Sequence, residues 1–173
     1  MLRRKLFIAV AIWSAATCTL AQTYPERPIK MLQGFAPGGN ADAIARAVSG
    51  EMSKGLLQPF VVEAQAGAGG TIAATTVSKA KPDGYTLLLA TGGHAVAGAL
   101  YNNLAYRTVQ DFEMVSTITY FPFLIVVAAD SKMNSLSAIL ANAKANPDKV
   151  GYGTAGIGST HHLAGELLAS MSK

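Results

Sequence analysis

The sequence has 173 residues, of which 50% are hydrophobic and 14% charged, a composition that can bury the core of one modest domain. It holds fourteen basic and ten acidic residues, and three of the basic ones (Arg3, Arg4, Lys5) stand at the N-terminus. The rest of the chain therefore has eleven basic and ten acidic residues, a formal net charge of +1. No basic stripe for nucleic acid remains beyond the N-terminus, and the only cysteine, Cys18, excludes an internal disulfide.

The N-terminus is typical of a secretory signal peptide. The basic residues precede an apolar run, 6–21, that ends in Thr19-Leu20-Ala21 with small residues at positions −3 and −1. We predict cleavage after Ala21, so that the mature chain begins at Gln22. A membrane anchor is the first alternative, but the run is short for a bilayer span of about 20 strongly apolar residues. Acylation of Cys18 is the second, disfavoured by the poor lipobox at 15–17.

Apolar runs alternate with helical stretches along the remaining chain. The clearest helix has Ile44, Val48 and Met52 four residues apart, Asn40 as a candidate N-cap and Gly55 as a candidate stop. The predicted strands are 29–35, 60–63, 85–90, 115–119, 123–129 and 149–153. The predicted helices are 41–54, 71–80, 136–146 with Ser135 as N-cap, and 161–172.

This alternation predicts an α/β fold with a largely parallel sheet. Ligands of such sheets bind beyond the carboxyl ends of the strands. Three glycine-containing loops are expected there, at 37–40, 91–94 and 154–160.

Two of these loops have the chemistry of an anion site. In the first, Gly38 and Gly39 let backbone N–H groups approach a ligand, and the free amides of the following helix would suit a carboxylate. The third, from Thr154 to His161, offers hydroxyls, an imidazole and open amides. An ordinary strand-to-helix turn and a Ser/Thr helix cap are the alternatives, and both can hold at once.

Three other kinds of site are weakly indicated. Gly151, Gly153 and Gly156 spell G-x-G-x-x-G, but the chain ends before the acidic residue that a dinucleotide site needs. His161 and His162 are adjacent, so on a helix they point about 100° apart, unlike a metal-binding i, i+4 pair. Ser159 beside His161 suggests a hydrolase, but no G-x-S-x-G elbow accompanies them.

Several motifs, in order, resemble one family, the Bug-type solute-binding proteins that serve tripartite tricarboxylate transporters. They are Tyr24-Pro25-Glu26-Arg27-Pro28-Ile29, Gly34-Phe35-Ala36-Pro37-Gly38-Gly39-Asn40-Ala41-Asp42, Gly67-Ala68-Gly69-Gly70, Pro82-Asp83-Gly84-Tyr85-Thr86-Leu87-Leu88, Ala105-Tyr106 through Asp111-Phe112, and Gly156-Ile157-Gly158-Ser159-Thr160-His161-His162-Leu163-Ala164-Gly165-Glu166. The resemblance covers nearly the whole mature chain. Gly34 and Ala64-Gln65-Ala66 depart from the family's more usual Pro and Asn-Arg-Pro.

The resemblance implies a periplasmic receptor of the two-lobed type II periplasmic-binding-protein fold, without catalysis, metal or cofactor. It implies a first lobe over 22–105 and the start of a second over 106–173. The ligand would be a small carboxylate (a di- or tricarboxylate, an acidic amino acid or an aromatic acid), and membrane permease subunits would be partners. The implied ligand-binding residues are Phe35, Ala36, Gly38, Gly39, Asn40, Asp42, Thr91, Gly92, Thr154, Gly156, Gly158, Ser159, Thr160 and His161.

The length departs from the family, because the chain stops within the expected second lobe. Three classes of protein are therefore weighed: a binding protein, an enzyme that uses a nucleotide or Ser159, and a truncated remnant without function. The signal peptide and the order of the motifs favour a binding protein over an enzyme.

Overall fold

The computed structural model describes residues 24–172. The signal peptide, the cleavage site after Ala21 and the acylation of Cys18 lie outside the described residues and stay predictions. Within residues 24–172, no helix combines the length and the apolar character that crossing a membrane requires.

Strands and helices alternate through the first part of the chain, and two further helices follow a long irregular stretch. The strands are β1 (Ile29–Gln33), β2 (Phe60–Ala64) and β3 (Thr86–Leu89). The helices are α1 (Asn40–Leu56), α2 (Thr71–Ser78), α3 (Gly92–Leu100), α4 (Leu136–Ala145) and α5 (Thr160–Met171), with a short 3-10 turn at Ala68–Gly70 before α2.

The three strands form a parallel sheet in the order β2-β1-β3. Met31 in the central strand is level with Val62 of β2 and Leu87 of β3. Each connection carries a helix back along the sheet, so all three strands end at the same edge. This sheet confirms the predicted α/β class.

The core lies between the sheet and α1. Met31, Ala45 and Leu89 are buried there, and Ile44 and Val48 of α1 pack against them. The four-residue spacing of the apolar positions explains this contact, because it puts them on one face of the helix. Burying each large side chain is worth about 1.5–3 kcal/mol.

The predicted ends of α1 were wrong. Its N-cap is Gly39, not Asn40, and it runs past Gly55 to Leu56, after which Leu57 takes a left-handed conformation (φ 54°) as the C-cap. Pro59 shortly afterwards explains the stop, because proline disfavours helical backbone in the residue before it. Ser53 then ties the end of α1 to β2, accepting from the Phe60 N–H at 3.1 Å.

Helix α3 was predicted as a loop at 91–94 but begins at Gly92. It is held by an aromatic cluster in which the His94 ring stacks on Tyr106 at 5.6 Å between centroids and meets the edge of Phe112 at 4.8 Å. His94 Nε2 also lies 2.8 Å from the carbonyl of Thr108. These contacts fix the passage 104–112 against α3.

The predicted strands at 115–119, 123–129 and 149–153 are not formed; these residues have irregular backbone. The apolar runs there were correctly recognised, but a strand also requires a neighbour for its backbone hydrogen bonds. None of the described residues supplies one for these segments. Helix α4 does form, and Ser135 caps it as predicted by accepting from the Ala138 N–H.

Candidate functional site

The N-termini of three helices meet at the edge of the sheet where the parallel strands end. Helix α2 begins after Gly70, α3 after Thr91 and α5 after Ser159. Their backbones approach closely: a β-carbon added to Gly92 would lie 2.6 Å from Thr160 Cγ2, and one added to Gly69 would lie 2.7 Å from the carbonyl carbon of Gly158. A side chain at Gly92 or Gly69 would therefore separate the helix ends.

The electrostatics of this meeting point are positive in character. Helix N-termini present unpaired N–H groups and the positive ends of their dipoles. Among the described residues, no side-chain cap bonds the first turn of α2 or α3. Helix α5 is capped, since Ser159 Oγ accepts from the His162 N–H at 3.2 Å. Uncapped amides at converging helix ends can receive an anion.

The first loop, 34–39, is held at both of its ends by side chains. Gln33 Oε1 accepts from the Phe35 N–H at 2.8 Å, and Asp42 Oδ2 accepts from the Gly38 N–H at 3.0 Å. The Arg46 Nε–H also donates to Asp42 Oδ2 at 2.9 Å. Arg46 first, and then the Gly38 amide, hold the pKa of the Asp42 carboxyl below its usual value. The Gly38 amide expected to face a ligand is thus bonded to Asp42.

The structure brings together only part of the predicted site. Thr91, Gly92, Gly158, Ser159 and Thr160 lie at the meeting point of the helices. Phe35 adjoins it, since a β-carbon on Gly70 would lie 3.7 Å from its ring.

The remaining predicted residues lie elsewhere. Ala36, Gly38 and Gly39 are in the exposed first loop, and Asp42 is buried beneath it. Thr154 and Gly156 are exposed and bond each other, Gly156 N–H to Thr154 Oγ1 at 3.2 Å. Two others adjoin the irregular stretch: Asn40 lines a groove beside Ile118, and the His161 ring meets the edge of Phe123 at 4.7 Å.

Two spaces of different size flank the first loop. A cavity of about 10 Å³ lies between Phe35, Gly70, Thr91 and His94, room for about one water. An open groove of about 400 Å³ is lined by α1, from Asn40 to Val48, and by the irregular residues Ile118, Thr119 and Phe121. The volume of the groove lies within the range of small-molecule sites, about 300–1,000 Å³. The small cavity is far below that range, because the helix ends pack against one another there.

The alternative sites are not supported by the described residues. No group of three or more His, Cys, Asp or Glu within 24–172 could hold a metal ion. Gly151 and Gly153 lie in irregular backbone, so the G-x-G-x-x-G run does not follow a strand as a dinucleotide motif must. Ser159 is 1% exposed, and its hydroxyl caps α5 rather than facing a substrate.

Sequence reasoning missed three residues of this region: Gln33, Gly69 and Gly70. The glycines had a signal, because they follow β2 and the loops after parallel strands share one edge. Gln33 had a weaker one, as a polar residue in an otherwise apolar strand end. Its contacts with Phe35 and Asp42 depend on side-chain packing that no sequence pattern shows.

Known proteins resemble this chain in sequence and in structure. Residues 44–172 match the sequence family described as the tripartite tricarboxylate transporter family receptor. A UPF0065 protein from the TAR-I ttuE-ttuC' intergenic region of Agrobacterium vitis is 42% identical over 165 residues, which are 94% of this chain and 48% of that protein. The chain spans about half the length of the curated relatives that it matches.

Two solved structures share the fold, each over 86% of this chain. The periplasmic binding protein BugD superimposes with a TM-score of 0.73 at 37% identity, over 50% of its own chain. MatC from Rhodopseudomonas palustris with bound malate gives a TM-score of 0.77 at 38% identity, over 51% of its own chain. The predicted periplasmic-binding-protein fold is confirmed, with about half of it present here. The chain belongs to the receptor family of tripartite tricarboxylate transporters.

Proposed function

We propose that this chain is part of an exported, non-catalytic receptor that captures small organic carboxylates in the periplasm. The convergence of the α2, α3 and α5 N-termini carries the proposal. Family membership supports the receptor role, and the malate bound to MatC supports the ligand class. On this proposal residues 22–105 belong to the first lobe and 106–173 begin the second.

The chemistry of capture follows from the helix-end amides of α2 and α3, which no side chain caps. A carboxylate at the meeting point would accept hydrogen bonds from the first turns of α2 and α3, near Gly70 and Gly92. Such charge-assisted bonds are about twice as strong as neutral ones, and they need no cationic side chain. Because the loop at Gly158 packs against Gly69, ligand entry requires the two loops to separate first. Opening and closing of this kind is the hinge motion of two-lobed receptors.

The receptor role also implies partners and excludes some cofactors. Membrane permease subunits of the transporter would accept the ligand from the receptor. Capture through amide groups involves neither a metal nor a nucleotide. The first-loop residues, from Phe35 to Asp42, would meet the far end of the ligand, partly through water.

Backbone NMR titration of the purified chain with malate tests the proposal, because it detects weak binding. We expect malate to shift the amide signals of Gly70, Gly92 and Thr160. Malamide, the uncharged diamide of malate, should leave them in place, and a chelator should change nothing. Equal shifts with malamide, shifts confined to other residues, or loss of binding with chelator would each contradict the proposal.

A further inference from the structure

Tyr152 lies against helix α5 at a glycine. A β-carbon added to Gly165 would lie 2.6 Å from Tyr152 Cζ and 2.8 Å from its hydroxyl oxygen, so the ring occupies the space that a side chain would need. The Tyr152 hydroxyl donates to Glu166 Oε1 at 2.6 Å. Gly165 and Glu166 thus form a site on α5, the α5 notch, in which the first holds the ring and the second holds the hydroxyl.

The stretch 151–157 has little else to hold it, because every residue in it is exposed. Among the described residues, the bond from Tyr152 to Glu166 is the only side-chain hydrogen bond that joins this stretch to another part of the chain. The stretch then leads back to α5, where Ser159 caps the helix. Its two ends are therefore attached to one helix, between one and two turns apart.

We propose that Tyr152 is a positioning residue, whose ring in the α5 notch makes the loop 153–158 a rigid extension of α5. Fixing both ends of a short segment to one helix removes most of the conformations otherwise open to it. Gly158, at the end of this loop, is buried and packs against Gly69. Tyr152 thereby determines how the loop meets the N-terminal ends of α2 and α3. The consequence for ligand capture rests on the proposed function; the positioning itself does not.

The charge of Glu166 gives the contact a spectroscopic signature. The Glu166 carboxylate raises the pKa of Tyr152, chiefly by accepting the phenol hydrogen bond. His162 is the other titratable group beside this carboxylate, with Nε2 3.9 Å from Oε1. Glu166→Gln keeps an acceptor of the same shape but removes the charge. We expect the pKa of Tyr152 to shift downward in this variant, as measured by NMR from the phenol carbon signal while the pH is raised.

Backbone relaxation, measured by NMR without ligand, tests the positioning. In wild type the amides of Ala155, Gly156 and Ile157 should be nearly as ordered as those of α5, with order parameters of about 0.85. Tyr152→Ala empties the notch and should lower these values to below about 0.6. The chain should still fold, because Tyr152 is 52% exposed. Tyr152→Phe keeps the ring but loses the hydroxyl, so its values should lie between these two.

Gly165→Ala fills the notch while Tyr152 stays in the sequence. The ring must then leave, so the loop amides should become as mobile as in Tyr152→Ala. Gly50→Ala is the matched control, because Gly50 lies inside α1 and a β-carbon there meets nothing within 4 Å. Since alanine is the better helix former, Gly50→Ala should lower the equilibrium constant of unfolding about twofold to fivefold. Gly165→Ala should not show this gain.

Three results would overturn the proposal. They are loop amides that are mobile in wild type or stay ordered in Tyr152→Ala, an unchanged pKa of Tyr152 in Glu166→Gln, and a gain in stability in Gly165→Ala equal to that in Gly50→Ala. Malate titration of Tyr152→Ala is read separately: the malate concentration that half-saturates the Thr160 shift should rise. If wild type shows no malate shifts at all, the proposed function fails while the relaxation data still decide the role of Tyr152.

Discussion

Gly158 is the residue at which the α5 loop contacts the first part of the chain. Its φ is +83°, a conformation that costs other residues about 1–3 kcal/mol. A β-carbon there would also collide with the Tyr101 hydroxyl, which donates to the Ala68 carbonyl at 3.3 Å. Backbone conformation and space thus both require glycine at this position.

We therefore predict that Gly158→Ala destabilises the chain by more than the backbone cost alone, because Tyr101 must move. Gly156→Ala is the matched control: Gly156 also has positive φ, +110°, but a β-carbon there meets nothing within 4 Å. It should cost about 1–3 kcal/mol in the free energy of unfolding. Denaturant unfolding measures both, and equal costs would show that the Tyr101 contact contributes nothing.

The sequence predicts little at this scale beyond the positions of the glycines. Gly158 was predicted as a ligand-binding residue only because its motif resembles the family. Gly158 packs against Gly69 and against Tyr101, which stands 57 residues earlier in the chain. These contacts depend on the tertiary fold, which no local pattern shows. Asn40 illustrates the same limit: it is a favourable cap residue by type, but Gly39 takes the position and the Asp42 carboxylate bonds the neighbouring amide.

At the scale of elements, the N-caps of α4 and α5 form a natural pair. The Ser135 and Ser159 hydroxyls each accept a hydrogen bond of 3.2 Å from the backbone N–H three residues later in the chain. Ser135 is exposed, whereas Ser159 is buried where α5 meets α3. The same substitution therefore removes one cap in open solvent and one inside the candidate site.

We predict that Ser135→Ala and Ser159→Ala each cost about 1 kcal/mol, the usual value for an N-cap. Only Ser159→Ala should also shift the amide signals of Gly69 and Gly92 and weaken the malate response. The reason is that the α5 end is positioned by its cap, whereas the α4 cap is remote from the meeting point. Unfolding and NMR spectra of the two variants decide; matching spectral changes would contradict the assigned position of Ser159.

Elements with strong local patterns were predictable. The three strands of the sheet and helices α1, α2, α4 and α5 were each predicted to within a few residues, because periodicity and caps are local signals. Helix α3 was missed because its Gly92-Gly93 start has poor helix propensity; burial of His94 and Ala97 compensates for it. The strands predicted after residue 113 failed because pairing is not local.

At the scale of the whole molecule, burial is uneven. The buried apolar residues of the described chain lie between Ile29 and Tyr106. The segment 114–127 is apolar but exposed: Val115, Tyr120, Leu124 and Val126 each have more than three quarters of their surface in solvent. Exposed apolar area of this extent is typical of an interaction surface or of a liability to aggregation. One helix face is similar, since Leu167 of α5 is 60% exposed.

This exposure predicts that the chain binds an apolar-sensing dye in its native state and self-associates as its concentration rises. Replacing Leu124 and Val126 together by Asp should reduce both effects, since each carboxylate makes burial of the segment costly. The melting temperature should hold, because neither residue contacts the sheet core around Met31.

Leu57→Asp is the control: Leu57 is 86% exposed but stands apart from the segment, so dye binding should be unchanged. Dye fluorescence and light scattering across a concentration series give the answer. A monomeric chain that does not raise the dye fluorescence would contradict the prediction, because the segment 114–127 would then be covered in solution.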